Sequence, residues 1–368
     1  MSIILSSEQK DVTRNLFKNR HNEQVQTLGG YAGTGKTTIV KSLVRALSAK
    51  NEGWAVMSFT GKATNILRRK GIGHARTIHS MIYQPFTFRD PITGEEETQW
   101  EKIPHVDDCQ GFLIDEGSMV SEEIHNDLVS FGIPIIYIGD HGQLEPINSD
   151  FNIMKNPMYR LETVHRNAGE IAHFAEHLRK GRDAGEFHGT KQVQVIGSHR
   201  VEDKHLAATN QIICAYNKTR VQLNQRVREH LGRQYQYVAV GDKVMCLRNN
   251  RQLGLFNGMQ GVVQKVRRKD RFDFISDDGV LYERVHYDPE TFGEEKRTFK
   301  HSQKAHPFDY AYAITAHKSQ GDEWPNVIVY EQQCEKWDHK RWAYTAASRA
   351  RNGLLWLRQD KYVPAYLK

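Results

Sequence analysis

The chain has 368 residues, of which 39% are hydrophobic and 26% charged, a balance that excludes wholesale disorder. Length alone points to two or three compact domains, and no run approaches the roughly 20 apolar residues needed to cross a bilayer. The formal net charge is +7, and it is uneven: residues 1–165 carry 17 Lys and Arg against 20 Asp and Glu, whereas residues 166–368 carry 34 against 24. A basic second half points to an anionic polymer partner, nucleic acid being the usual one, although it is equally the mark of a solvated basic surface.

Near the start, Ile3-Ile4-Leu5 is too short an apolar run for a signal-peptide core, so the expected compartment is the cytoplasm of a bacterium or of an infected host. A Ser-capped helix is expected over Ser7–Arg20, then a strand at Val25–Gly29, a Gly-rich turn, and a helix from Lys36 to about Lys50. A strand at Trp54–Thr60 and helices at Lys62–Lys70 and near Thr77–Tyr83 continue the βαβ rhythm of a parallel sheet. Residues 84–107 break it: aromatic arms, Pro and Gly at a turn and an acidic run read as a small inserted hairpin. Short apolar runs at Gly111–Ile114 and Ile133–Ile138 resume the buried sheet.

Beyond residue 166 the pattern predicts a helix at Ala168–Lys180, a strand at Gln211–Cys214 and a helix at Lys218–Leu231. Short strands with Gly turns follow at Tyr237–Val240, Lys243–Leu247, Gly261–Arg267, Arg271–Ile275 and Val280–Arg284, which read as a small antiparallel barrel within residues 232–307. A strand at Val327–Tyr330, a helix at Lys340–Ala350 and a strand at Leu354–Arg358 restore the α/β character. The four cysteines stand far apart with no CxxC pair, which disfavours a zinc ribbon or a disulfide framework and leaves buried small hydrophobes as their reading.

The chemistry concentrates in a few segments. Gly30-Tyr31-Ala32-Gly33-Thr34-Gly35-Lys36-Thr37 matches G-x-x-x-x-G-K-[ST] between an expected strand and helix, the setting of a phosphate-binding P-loop. Its backbone N–H groups would cradle phosphates, Lys36 would reach the β- and γ-phosphates of ATP, and the Thr37 hydroxyl would meet Mg²⁺. Phe112-Leu113-Ile114 runs into Asp115-Glu116, a carboxylate for Mg²⁺ and one to take the proton of an attacking water. A DE pair by itself is equally a solvated turn; the P-loop gives this one its weight. After the strand ending at Ile138, Gln143 is placed to contact γ-phosphate and water, while the segment also reads as a plain βα turn with Asp140 as a helix cap. Arg166 and Arg349 are candidates for stabilising charge on the phosphoryl group, or are surface arginines.

Taken in order, these segments resemble the superfamily 1 helicases, with the nearest likeness to the RecD/Dda branch. Leu5-Ser6-Ser7-Glu8-Gln9 is similar to the family's glutamine motif, Phe59-Thr60-Gly61-Lys62-Ala63 and Thr77-Ile78-His79-Ser80 to its strand-gripping motifs, and Leu161 to Arg166 to the segment with the first arginine finger. Ala316 to Glu323 and Tyr344 to Ala350 resemble its last two motifs, and Asn257-Gly258-Met259-Gln260-Gly261 a signature turn of its extra domain.

The resemblance implies two RecA-like α/β motor domains, the first (1–83 plus 108–165) carrying the hairpin of 84–107 as a separating pin, the second (166–231 plus 308–368) carrying the barrel of 232–307. It implies nucleotide binding by Gln9, Gly30, Gly33, Thr34, Gly35, Lys36, Thr37, Thr38 and Glu323, and catalysis by Lys36, Asp115, Glu116, Gln143, Arg166 and Arg349, with Thr37 and Asp115 holding Mg²⁺. DNA contacts would fall to Phe59, Thr60, Lys62, Thr77, His79, Phe86, Phe88, Asn257, His317 and Lys318. The family often has Pro where Phe59 stands, so Phe59 is expected to stack on a base rather than wedge against one.

The implied activity is ATP-driven 5′→3′ movement on single-stranded DNA and unwinding of forked DNA, by a monomer that meets replication, recombination or repair proteins and no membrane. An RNA helicase of the same superfamily, or an ATP-switched subunit of a recombination or nuclease complex, stays open as an alternative. The compact length leaves no room for further partner-binding domains in this reading.

Overall fold

The computed structural model describes residues 5–89, 96–145, 151–165, 169–189, 191–234, 237–250, 253–295, 305–333 and 337–359, and its contacts divide the chain into two units, Met1–Ala168 and Gly169–Lys368.

The first unit opens with α1 (Ser7–Lys18), whose N-terminus is closed by a capping box between Ser6 and Gln9. There follow β1 (Val25–Gly30), α2 (Lys36–Ser48), β2 (Trp54–Ser58), α3 (Gly61–Arg69), β3 (Arg76–Thr77) and α4 (Ile78–Ile82). A two-stranded hairpin, β4 (Tyr83–Arg89) with β5 (Glu96–Lys102), comes next in antiparallel register from Tyr83 opposite Lys102 to Arg89 opposite Glu96; its turn lies outside the described residues. Then come β6 (Gly111–Asp115), α5 (Glu122–Val129), β7 (Ile135–Gly139) and β8 (Tyr159–Leu161). The strands form one sheet in the order β3-β2-β6-β7-β1-β8, with every neighbouring pair parallel. Buried residues cover both faces: Leu16, Ile39, Val40 and Leu43 on one side, Ile78, Ile82, Val120 and Leu128 on the other. Two-sided burial is why β6 and β7 read as continuous apolar runs.

The second unit contains α6 (Glu170–Arg179), β9 (Val193–Gly197), α7 (Asp203–Ala208), β10 (Gln211–Cys214) and α8 (Asn217–His230). Next are β11 (Lys243–Cys246), β12 (Gln260–Arg268), β13 (Arg271–Ser276), β14 (Leu281–Asp288) and β15 (His306–Tyr310). The chain then returns through β16 (Ala313–Thr315), β17 (Trp324–Tyr330), α9 (His339–Ala347) and β18 (Ala350–Arg358). A second parallel sheet runs β16-β10-β17-β18-β9, and β11 to β15 close into a barrel.

That barrel differs from the expected one in two respects. Its closing strand is β15, which pairs antiparallel with β11 but parallel with β14. Tyr237–Val240, expected as a strand, is a loop whose backbone groups are taken by side chains: Arg228 donates to the Tyr237 carbonyl, and the Ala239 N–H donates to Asp242 Oδ2 at 2.7 Å. A segment satisfied in this way has no ladder to join. The buried Asp242 carboxylate also accepts from Arg228 at 3.2 Å on each oxygen, from Arg233 at 2.8 Å and from the Tyr312 hydroxyl at 3.0 Å. Asp309 on β15 pairs with the buried Arg220 of α8. These two carboxylates tie the barrel to α8; removing one partner of such a pair would leave an uncompensated buried charge.

Cys214 and Cys246 are buried, and burial pushes their thiols up to about 12 and about 11, as small inert core residues. Cys109 is half-buried and Cys334 lies outside the described residues.

Candidate nucleotide and nucleic-acid site

Because the first sheet is wholly parallel, the carboxyl ends of β1, β2, β6 and β7 share one edge, where open α/β sheets bind ligands. At the end of β1 the chain curls through Gly33 (φ 79°) and Gly35 (φ 85°), both in the left-handed region. A Cβ on Gly35 would stand 2.3 Å from Gln9 Nε2, so no side chain fits there without displacing that amide. Gly35 is also the N-cap of α2, so no side chain caps that helix start, the end of a helix that favours an anion.

Lys36 lies over this loop. Its amine donates to the carbonyls of Gly30 at 2.7 Å and Tyr31 at 3.2 Å and stands 3.5 Å from Asp140 Oδ2. Asp140 is 2% exposed; its other oxygen accepts from the Gly142 N–H at 3.0 Å, and Oδ2 also accepts from Gln143 Nε2 at 3.3 Å. One buried carboxylate therefore links the P-loop lysine to Gln143. The sequence left Asp140 open as a simple turn cap; the Gly139-Asp140 step at a strand end was the only signal of its larger role.

Asp115 ends β6, and its Oδ1 accepts from the Glu116 N–H at 3.1 Å. Glu116 has φ 58°, a conformation that costs a non-glycine residue energy and is found at functional turns. The Thr37 hydroxyl accepts from Lys70 at 3.2 Å. A hydroxyl and a carboxylate are hard oxygen donors, and Mg²⁺ is held by one or two such groups together with substrate phosphates, so Thr37 and Asp115 fit it. The Thr38 N–H is spent on the first turn, donating to the Gly35 carbonyl at 2.9 Å.

Gln9 is 4% exposed, and both ends of its amide are engaged: Oε1 accepts from the Ser6 N–H at 3.0 Å, and Nε2 donates to the Thr34 carbonyl at 2.8 Å and lies 2.8 Å from His165 Nε2. The His165 N–H donates to the Gly33 carbonyl at 3.3 Å. The chain leading to Arg166 is thus anchored on the P-loop; Arg166 itself lies outside the described residues. Sequence reasoning did not single out His165, since nothing local reveals a contact across 156 positions.

On the same sheet edge, Thr60 and Thr77 are the N-caps of α3 and α4, accepting from the Ala63 and Ser80 N–H groups. Half-buried Phe59 meets His79 edge-on at 6.2 Å, and His79 stands 5.4 Å from Tyr83. Phe86 on the hairpin is 49% exposed, opposite Gln99, while the side chains of Lys62 and Phe88 are outside the described part.

In the second unit, Arg349 is 4% exposed. Its guanidinium donates to the Thr345 carbonyl at 3.0 Å, to Ser348 Oγ at 2.7 Å and to the Asp322 carbonyl at 3.2 Å, while Glu323 is exposed. Exposed Lys318 donates to Asn257 Oδ1 at 3.1 Å, joining the signature turn of the barrel to the turn after β16. Burial lowers the pKa of His317, so near neutral pH its ring carries no charge. In the basic run at 267–269, Arg267 is paired with Asp273 at 2.7 Å and Glu283 at 3.3 Å.

The chain was compared with known proteins. Residues 4–200 match the AAA domain family, and residues 310–357 match the UvrD-like helicase C-terminal domain. The ATP-dependent DNA helicase dda of Enterobacteria phage T4 is 31% identical over 171 residues, which are 42% of this chain and 38% of that protein. The ATP-dependent RecD2 DNA helicase of Deinococcus radiodurans is 25% identical over 385 residues, 95% of this chain and 48% of that one. The chain thus spans less than half the length of either relative. Among solved structures, Bacteroides Pif1 bound to ssDNA superposes with a TM-score of 0.56 at 19% identity, covering 100% of this chain and 96% of that one. With residues 4–200, more than half of its length, matched, the chain belongs to the AAA domain family.

Proposed function

We propose that this chain is an ATP-dependent DNA helicase that moves 5′→3′ on single-stranded DNA and separates duplex DNA. The observation that carries the reading is the cluster at one edge of the first sheet: a helix start that favours an anion, Lys36 over the loop, and Asp140 tying that lysine to Gln143. The likeness to the DNA helicases dda and RecD2, and a second parallel sheet joined to a barrel, support a motor rather than a small-molecule kinase. The polarity rests on the family likeness.

Thr37 and Asp115 would hold Mg²⁺ against the phosphates of bound ATP, whose phosphoanhydride supplies the free energy of the cycle. Lys36 orients the β- and γ-phosphates, and Gln9 reads the adenine by exchanging one of its present amide partners, Ser6, Thr34 or His165, for the base. Glu116 takes a proton from the attacking water, and Asp140 holds Gln143 where it contacts both water and γ-phosphate. Arg166 and Arg349 stabilise the charge that develops on the equatorial oxygens. Thr60, Lys62, Thr77 and His79 hold the strand on the first unit, and His317, Lys318 and Asn257 on the second.

Forks with a single tail test this. ATP turnover is expected to rise with single-stranded DNA, and a 5′-tailed fork to be unwound in preference to a 3′-tailed one. Turnover indifferent to DNA would sink the motor; a 3′ preference would sink the polarity; stronger competition by matched RNA would move the substrate to RNA. The exposed ring of Phe86 gives a second test: Phe86→Ala should impair strand separation while sparing DNA-stimulated ATP turnover, measured on the same fork. If both fall together, the hairpin is not a separating pin.

A further inference from the structure

The second sheet presents a group of rings in which Tyr216 and Trp337, unassigned so far, gather around His317. Strands β16, β10 and β17 are adjacent and parallel, so their carboxyl ends lie side by side. Tyr216 stands two residues past the end of β10, His317 two past β16, and Trp337 on the connection after β17. The Tyr216 and Trp337 rings are nearly parallel, 28° apart with centroids 6.3 Å from each other, and His317 meets the indole edge-on at 4.6 Å.

This group is not core. Trp54, Trp324, Trp342 and Trp356 are 7%, 4%, 1% and 0% exposed, whereas Trp337 is half-buried and Tyr216 is 40% exposed. It is nevertheless held firmly. The Tyr216 hydroxyl donates to the Gln333 carbonyl at 2.6 Å, the Ala215 N–H donates to Gln332 Oε1 at 3.1 Å, and Gln332 Nε2 donates to Thr219 at 2.7 Å. Those bonds tie Gln332 and Gln333, just past β17, to the connection after β10 and hold the Tyr216 ring in place, so ordering that ring costs little at the moment of binding. Exposed Lys218 and Lys318 flank the group, the charge a phosphate backbone requires. His317, kept neutral by burial, is suited to ring contact and not to pairing with a phosphate.

We infer that Tyr216 and Trp337, braced by His317, form a stacking platform for one unstacked base of the bound strand, on the second unit. The inference deepens the proposed function and rests on its single-strand reading. Aromatic faces beside a basic track are how single strands are gripped without regard to sequence.

The test uses the full chain, an oligo-dT strand, and the same strand carrying one abasic site stepped along its length. Trp337→Ala is expected to weaken binding of the intact strand by roughly 5- to 150-fold, the usual range for loss of one base–aromatic stack. Trp337→Phe keeps a ring and is expected to keep most of the affinity while losing the DNA-induced quenching of tryptophan emission. With the natural chain, one abasic position should weaken binding; with Trp337→Ala that position should no longer matter. The abasic arm with the natural chain needs no variant to fold. If the natural chain binds the strand and is stimulated by it, yet no abasic position matters or Trp337→Ala binds as tightly, the platform alone is overturned. If the natural chain neither binds nor is stimulated, the single-strand reading falls and the platform with it.

Discussion

Lys36→Ala is expected to abolish ATP turnover, with or without DNA. The amine now rests on two loop carbonyls, at 2.7 and 3.2 Å, and beside the Asp140 carboxylate, so alanine removes the cation that lies over the P-loop itself. It also leaves buried Asp140 with less positive charge to face, so the loss should show in nucleotide affinity as well as in rate. Glu116→Gln should behave differently: it keeps the shape of the side chain and removes only the base, so nucleotide should still bind while hydrolysis stops. Equilibrium binding of a fluorescent ATP analogue, alongside phosphate release, separates the two variants. Full turnover in either one would refute the assignment of the site.

Arg349→Ala is expected to lower kcat by about 10³-fold or more, the usual cost of removing an arginine that stabilises phosphoryl transfer. The structure adds a complication that can be measured. The guanidinium is buried and supports the Thr345 and Asp322 carbonyls and the Ser348 hydroxyl, so its removal strands acceptors and costs the second unit stability, about 1–3 kcal/mol for each group left unsatisfied. The two roles separate by experiment. A finger's loss lowers kcat at temperatures where the variant is fully folded and leaves strand binding in place. A purely structural arginine would show a lower melting temperature, with kcat near normal well below it.

Much of the site was legible because its chemistry is local. A P-loop is eight consecutive residues in which glycines shape the backbone and the lysine's amine reaches back over that same loop, and Asp115-Glu116 follows directly from an apolar strand. The strands Gly111–Asp115 and Ile135–Gly139 were legible for a related reason: burial on both faces writes itself as an unbroken apolar run. The elements that escaped notice have no such signature. β8 and β9 are short edge strands, of three and five residues, defined only by what they pair with. Tyr237–Val240 carries the composition of a strand, but Arg228 and Asp242 satisfy its backbone first.

Residue order by itself settled the class of fold and the glycine-rich loop after β1, since each depends on neighbours a few positions apart. Folding alone decided that Asp140 bridges Lys36 and Gln143, that His165 and Gln9 meet across 156 positions, that β15 closes the barrel, and that Tyr216, His317 and Trp337 gather at one sheet edge. The reason is geometric: parallel pairing sets distant strand ends side by side, and no local pattern records which distant end a given one will meet.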